Sequence, residues 1–469
     1  MMDGKTLEDA IRANPDDDAL RLVYADWLAD QGDMSHAAFI ESDVTAARHP
    51  ATDPRGLPAK RRRNRLWRRH RSEWKAKLPK LSGVVWGDHY ERGLLSHAEV
   101  QSFALFTQRH GPALAEHTHL TSVQVPWPIQ SGAVMGTVPS TLRRLELVTK
   151  GFNSPRAGRL LAQAPWLNQI REIEVRGSAS HLPDLLASPF LGQLDRLSLE
   201  GVRLDEGRLA DILALIPRGL RALRLYAARE HTATRPGWRE ERAGPPLQAS
   251  HLQCLLDWPG LTDVTSLNVG SNSASEAVAT ALIGSPKLAS IEHLALPYVE
   301  GGFPFAAEGV LRPHTIRLSR NAMEDRNAEE FVDSSWLGEV HELDTAGSPT
   351  NPGALRTLTN APFTKGLRCW WNYEGTLDNL ARHFTLPNLH ALSLTTQERG
   401  NAPGLQHHQG LTGVRYLALR GRPRVLRHAN LPTLEWLELD ISPDDPILQT
   451  LRQAAWFPQL EANGGIDLL

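Results

Sequence analysis

Residues 142–147 read Leu142-Arg143-Arg144-Leu145-Glu146-Leu147, and this spacing of aliphatic residues returns through the rest of the chain. Taking the second apolar residue of each copy as an anchor gives Val123, Leu145, Ile173, Leu197, Leu223, Leu267, Leu294, Ile316, Leu343, Leu367, Leu392, Leu417, Leu437 and Leu460. The steps between them are 22, 28, 24, 26, 44, 27, 22, 27, 24, 25, 25, 20 and 23 residues. A period in the twenties on an L-x-x-L-x-L frame predicts stacked repeats, each touching only its neighbours. Strand alternation sends the leucines to one side and the residues between them to the other.

The predicted fold class is therefore α/β. It is a leucine-rich-repeat solenoid with parallel strands on the concave face and helices on the other, after an N-terminal all-α helical head. Return helices are expected over 154–167, 206–216, 275–283 and 377–384. Pro165, Pro286 and Pro362 mark bends before strands, where a missing N–H does least harm. Asn272 and Asn321 follow their strands and are placed to bond the backbone of adjacent turns. The step of 44 holds an insertion at about 227–250 that includes Trp238. Long insertions of this kind lie on one face and often bind. The expected domains are a head (1–47), a basic linker and helix (48–80), a leading unit (81–119) and the repeat array (120–469). The leading unit should hold a strand at Val84-Val85-Trp86, a turn at Arg92-Gly93 and a helix from Val100 to Phe106.

Apolar content of 41% and charged content of 22% over 469 residues are ordinary for an ordered globular chain. The first ten residues contain no apolar signal core, and no stretch approaches the ~18 apolar residues that span a bilayer. Two cysteines, Cys254 and Cys369, argue for a reducing compartment, with the cytoplasm as the expected location. The net charge of −2 conceals a split. Residues 1–47 carry eleven acids against three bases, a net of −8, and residues 48–80 carry thirteen bases against two acids, a net of +11. Mutual neutralisation of the two segments is the simplest expectation.

In the head, Leu7 and Ile11 make the edge of one helix, and Asn14-Pro15 ends it. Asp16–Asp18 begin a second helix whose Leu20, Val23, Tyr24, Trp27 and Leu28 follow helical spacing. Gly32 stops that helix, Asp33 caps the next, and Phe39, Ile40 and Val44 face inward. The stretch from Asn14 to Asp33 resembles the repeat-companion domain of large bacterial paralogous families. The likeness rests on Asn14, Pro15, Asp16, Asp17, Arg21, Tyr24, Ala25, Asp26, Trp27, Leu28, Gly32 and Asp33. It covers under a tenth of the chain, and Ala38-Phe39-Ile40 lacks the family's acid. The resemblance implies a bacterial, intracellular interaction protein without enzymatic activity.

The basic helix places Leu66, Trp67, Trp74 and Leu78 on one side and Arg61, Arg62, Arg63, Arg65, Arg68, Arg69 and Arg71 around the rest. Bases with interleaved tryptophans suit nucleic acid or an anionic surface. The competing expectation is that the apolar face packs inside the protein while the bases meet the acidic head. Along the array, Arg368, Trp370, Tyr416, Arg420 and Trp436 are expected to form an outward aromatic and arginine patch. These residue types dominate interface energies.

Catalytic patterns are missing: the chain has no GxxxxGK[ST] loop, no GxSxG elbow and no HExxH pair. Cys369 is expected to be a buried thiol. The expected function is non-enzymatic protein–protein recognition by an adaptor scaffold, without cofactor or metal. The alternatives are nucleic-acid or anionic-surface binding through 60–80, and an effector or protease substrate in a bacterial defence or signalling pathway.

Overall fold

The computed structural model describes residues 3–53, 55–117, 119–127, 134–149, 156–177, 182–201, 206–226, 249–270, 272–299, 302–305, 308–318, 325–345, 357, 361–374, 386–396, 411–421, 426–427, 429–442 and 444–468. Most of the insertion, including Trp238, lies outside them, as do Asn321 and the helix expected over 377–384. Contacts divide the chain into two compact units, Met1–Arg48 with Ala59–Val264, and His49–Pro58 with Thr265–Leu469.

The first unit begins with α1 (Gly4–Ala13), α2 (Asp18–Asp30) and α3 (Met34–Arg48), followed by α4 (Gly56–Ala76), whose first turn belongs to the second unit. Asp3 caps α1 by accepting from Thr6 N, and Asp17 caps α2 by accepting from Ala19 N. Leu7, Ile11, Tyr24, Ala25, Leu28, Ile40 and Val44 share one core. Leu94, from beyond α4, completes it. Val23 departs from the expected stripe and is half exposed, because the neighbouring helices cover only part of α2's circumference. Trp27 lies flat on Tyr24 with centroids 5.8 Å apart and covers Gly4, where a Cβ would meet the indole at 2.5 Å.

The basic helix packs inward through its aromatics. Trp67 and Trp74 are buried against Phe39 of α3, at 5.9 and 4.8 Å between ring centroids. Arg63 donates to the buried Asp43 at 2.8 Å, and Asp43 also accepts from Gly93 N at 2.6 Å. Gly93 has φ +86°, and a Cβ there would lie 2.5 Å from Ile40 Cα, so the turn requires glycine. Lys77 reaches Asp33 at 3.3 Å, Lys75 reaches Asp88 at 2.6 Å and Arg48 reaches Asp18 at 2.7 Å. The charge split is thus partly spent inside the unit.

Strands β1 (Val84–Trp86), β2 (Tyr90–Glu91), β3 (Leu94–Leu95) and β4 (His97–Val100) open the sheet. β1 is antiparallel to β4, and β2 and β3 form a hairpin turned by Arg92 and Gly93. Val100 ends a strand, and a π-helical turn at Leu105–Arg109 and α5 (Gly111–His117) follow it, so the helix expected from Val100 begins later. Parallel pairing then runs from β4 through β5 (Ser122–Trp127), β6 (Arg144–Thr149), β7 (Glu172–Arg176), β8 (Arg196–Glu200) and β9 (Ala222–Tyr226). Val123, Leu145, Ile173, Leu197 and Leu223 stand in one register row, as their spacing predicts, and are all buried. Return helices α6 (Arg156–Ala162), α7 (Leu182–Leu186), α8 (Glu206–Leu215) and α9 (Ala249–Asp257) stack in order.

The second unit repeats the plan with β10 (Ser266–Asn268), β11 (Ser273–Ala274), β12 (His293–Ala295), β13 (Tyr298–Val299), β14 (Thr315–Arg317), β15 (Glu342–Asp344), β16 (Cys369–Glu374), β17 (Ala391–Thr396), β18 (Tyr416–Gly421), β19 (Trp436–Leu439) and β20 (Ile466–Leu468). Its buried row is Leu267, Leu294, Ile316, Leu343, Trp370, Leu392, Leu417 and Leu437, and the half-buried Ile466 ends it. Two anchors are therefore corrected. Trp370, not Leu367, pairs with Leu343, and Ile466, not Leu460, pairs with Leu437. Between strands, α10 (Glu276–Gly284) is capped by Ser275, and 3-10 turns start at Pro286 and Pro362, where the ring suits a first helical position. Asn272 is fully buried and donates to Val269 O at 2.9 Å, closing the backbone turn after β10.

Each unit is thus a repeat-built, solenoid-like array of mixed α/β structure. No described helix is long and apolar enough to cross a membrane. Leu197, 1% exposed within the anchor row, should lose about 2–5 kcal/mol of stability on Leu197→Ala. Urea unfolding showing a loss below about 1 kcal/mol would contradict its place as a core rung. Arg63→Ala strands the Asp43 carboxylate and should cost about 3–5 kcal/mol, while adding Asp43→Asn should recover part of that loss.

Candidate functional site

Alternation along the strands of the second unit leaves one row of side chains opposite the buried anchors. In register order it reads Ser266, His293, Thr315, Glu342, Cys369, Ala391, Tyr416 and Trp436. Polar residues occupy the first four positions, and the last four are apolar or aromatic. The next row on that side includes Trp371, Ser393, Ala418 and Glu438.

The apolar end of this row is covered by the chain's own residues 49–58. The Ala51 carbonyl accepts from the Cys369 thiol at 3.2 Å and from His390 Nε2 at 3.1 Å. A carbonyl only accepts, so the hydrogen of this imidazole is placed on Nε2. Leu57 is buried among Cys369, Ala391, Tyr416, Ala418 and Trp436, with Ala51 and Trp371 at the margin. Burial pushes the Cys369 thiol above its ordinary range. A neutral, enclosed thiol is a poor nucleophile.

The covering segment is folded on itself. Asp53 accepts from Arg55 N at 2.9 Å, from Arg55 Nη2 at 2.8 Å and from His49 Nδ1 at 2.9 Å. The Arg55 contacts hold the Asp53 carboxyl well below the usual range. Its backbone makes two turns, Asp53 N to Pro50 O and Gly56 N to Asp53 O. Gly56 is packed so closely that a Cβ would lie 2.4 Å from the His49 and Pro50 carbonyl oxygens.

Beside the segment, the Tyr416 hydroxyl donates to Glu438 at 3.2 Å, and Trp371 Nε1 donates to Glu342 at 2.6 Å. Trp371 meets Tyr416 edge-on at 6.0 Å. The Glu438 carboxyl is pushed up to about 7, first by burial and then by Asp467 and Asp440.

The residues expected to form one patch separate in the structure. Tyr416 and Trp436 are adjacent on this face, and Arg420 is exposed at the far end of the same side of β18. Trp370 is a correction: it is 1% exposed and lies in the anchor row beneath the sheet. Arg368 precedes the strand, where its N–H bonds His341 O, so it sits at the edge instead of in the row. The physical reason is a three-residue frame shift. Repeat spacing varies enough that Leu367 and Trp370 both fit the period, and volume beneath the sheet selects the indole. Ala51, Leu57, Cys369 and His390 were missed because their meeting is a long-range contact with no local pattern.

In the basic helix, Arg62, Arg68, Arg69 and Arg71 are exposed, while Arg61, Arg63 and Arg65 are partly covered. The tryptophans that would stack on bases are buried. The first unit carries a separate charged lattice on the corresponding face. Arg176 pairs with Glu174 at 2.6 Å and Glu200 at 3.2 Å, and Arg144 pairs with Glu146 at 3.1 Å and with Glu174. His97, hydrogen-bonded to Ser122 at 2.9 Å, is lowered to about 4 by burial, then by His89 and these arginines. The lattice is internally matched in sign. Among the described residues, no group of three or more His, Cys, Asp or Glu is arranged to hold a metal ion.

No family model matches the chain. No curated protein matches it either. Among solved structures, one chain of the crystal structure of the Rad7 and Elc1 complex in yeast is similar over 95% of this chain and 94% of its own length, at 12% identity and a TM-score of 0.42.

Glu438 supplies a pH test. Its folded value lies above the ordinary 4.5, so the folded state holds the proton more tightly. Its stabilising contribution is complete below about 4.5 and falls as pH rises through about 7. Glu438→Gln should raise the melting temperature at pH 8 more than at pH 5, since the amide oxygen still accepts from Tyr416. Equal shifts at both pH values would rule this out.

Proposed function

We propose that this chain is a non-enzymatic recognition scaffold, a leucine-rich-repeat array whose strand-row face grips a segment of another protein. The observation that carries the reading is the way the β16–β18 region and Trp436 hold residues 49–58. A backbone carbonyl is fixed by two donors, and one aliphatic side chain enters an aromatic-lined seat. Backbone bonds with side-chain seats are the usual means of peptide recognition. Tyrosine and tryptophan in such seats supply large contact areas at small entropic cost. We read the N-terminal helices as a repeat-companion head on the residues that resemble that family, and the setting as the bacterial cytoplasm. The thiol's burial and the sign-matched lattice support a binding role over catalysis.

Co-purification from the native host should compare the wild type, Tyr416→Ala/Trp436→Ala, and a chain with Arg62, Arg68, Arg69 and Arg71 changed to Gln. The same proteins should be lost from the aromatic variant and kept by the Gln variant. Loss confined to the Gln variant, with nucleic acid in the wild-type eluate, would instead favour polyanion binding through 60–80.

A further inference from the structure

We propose that residues 49–58 are a displaceable, tethered occupant of the β16–β19 face, and that the partner is a protein segment of the same chemistry that enters when this one leaves. The inference rests on the recognition reading and adds the regulation of that site. Three observations support it.

First, the contacts between segment and sheet among the described residues are of two kinds, one polar and one apolar. Its polar hold is the Ala51 carbonyl between Cys369 and His390, and its apolar hold centres on Leu57. Neither contact depends on a side chain peculiar to this segment. Any protein segment supplies a carbonyl, and many supply a leucine six residues later.

Second, the segment is shaped by its own bonds. Asp53 gathers Arg55 and His49, and Gly56 lets the chain close on the His49 and Pro50 carbonyls. A turn organised internally loses little further freedom on docking, so it can leave and return as one piece.

Third, the apolar part of the row coincides with the segment's footprint. Ser266, His293, Thr315 and Glu342 precede it in the same row, and Cys369, Ala391, Tyr416 and Trp436 lie beneath or beside Leu57. The partner segment therefore needs a free carbonyl, an aliphatic residue about six positions later at the start of a helical turn, and a glycine-sized residue just before it. A short tether keeps the resident at an effective concentration in the millimolar range, so a partner must outcompete it.

Cys369 reports the state of the face. With Cys254→Ser it is the single thiol of the 469 residues. Its reaction with a disulfide reagent such as DTNB should accelerate at least tenfold in Leu57→Asp, and likewise in Gly56→Val, which alters the segment's closure and not the sheet. Circular dichroism identifies any variant that has unfolded. A synthetic peptide of residues 48–60, added at about 1 mM, should slow the reaction of the opened variants at least twofold and leave the wild type unchanged. The same peptide carrying Leu57→Asp should do nothing. Unchanged thiol rates in both folded variants would make the segment a fixed part of the core and overturn the proposal. Faster rates that the peptide cannot slow would overturn it too. Partner loss in Tyr416→Ala/Trp436→Ala combined with unchanged thiol rates leaves the scaffold reading standing and removes only this one. Peptide protection without any dependent partner keeps the displaceable segment and removes the scaffold reading, and with it the partner segment.

Discussion

The row of aliphatic anchors is the constraint from which the rest follows. The paired anchors of neighbouring strands stand opposite one another in register on the buried side of the sheet. Strand alternation then leaves no freedom: if Leu417 and Leu437 point to the buried side of the sheet, Tyr416 and Trp436 must point to the other. Two large rings on the face opposite the anchors need a covering, and residues 49–58 supply it. The candidate site is thus a consequence of how the core is packed.

Charge plays a different part in the two units. In the first, opposite charges are spent on holding the basic helix, the hairpin and α3 together, with Asp43 bonded by Arg63 and by a backbone N–H. A buried carboxylate of this kind specifies geometry more than it adds stability, because its desolvation offsets much of the pairing. In the second unit, the face under residues 49–58 is dominated by apolar contact with one fixed carbonyl.

Much of the architecture is legible in the sequence. Twelve of the fourteen proposed anchors fall in the buried rows, and the Arg92-Gly93 turn and the prolines before the strands act as their types require, while Asn272 bonds its own turn at Val269 and Gly270. The two misplaced anchors, Leu367 and Leu460, share one cause. Loop length between repeats varies by several residues, so where two apolar residues both fit the period, only packing volume decides. At Cys369-Trp370-Trp371 the indole of Trp370 fills the space beneath the sheet and Trp371 is left above it.

What the sequence alone determined is the repeat, its anchor spacing and the alternation that makes one side apolar, because these arise from contacts between residues a fixed number of positions apart. What only the tertiary structure decided is the choice between competing frames and the meeting of Ala51 and Leu57 with Cys369, His390, Tyr416 and Trp436. Those groups are separated by more than three hundred residues. No local period records such a contact; it exists only once the strands have stacked in register and the linker has found the seat they form.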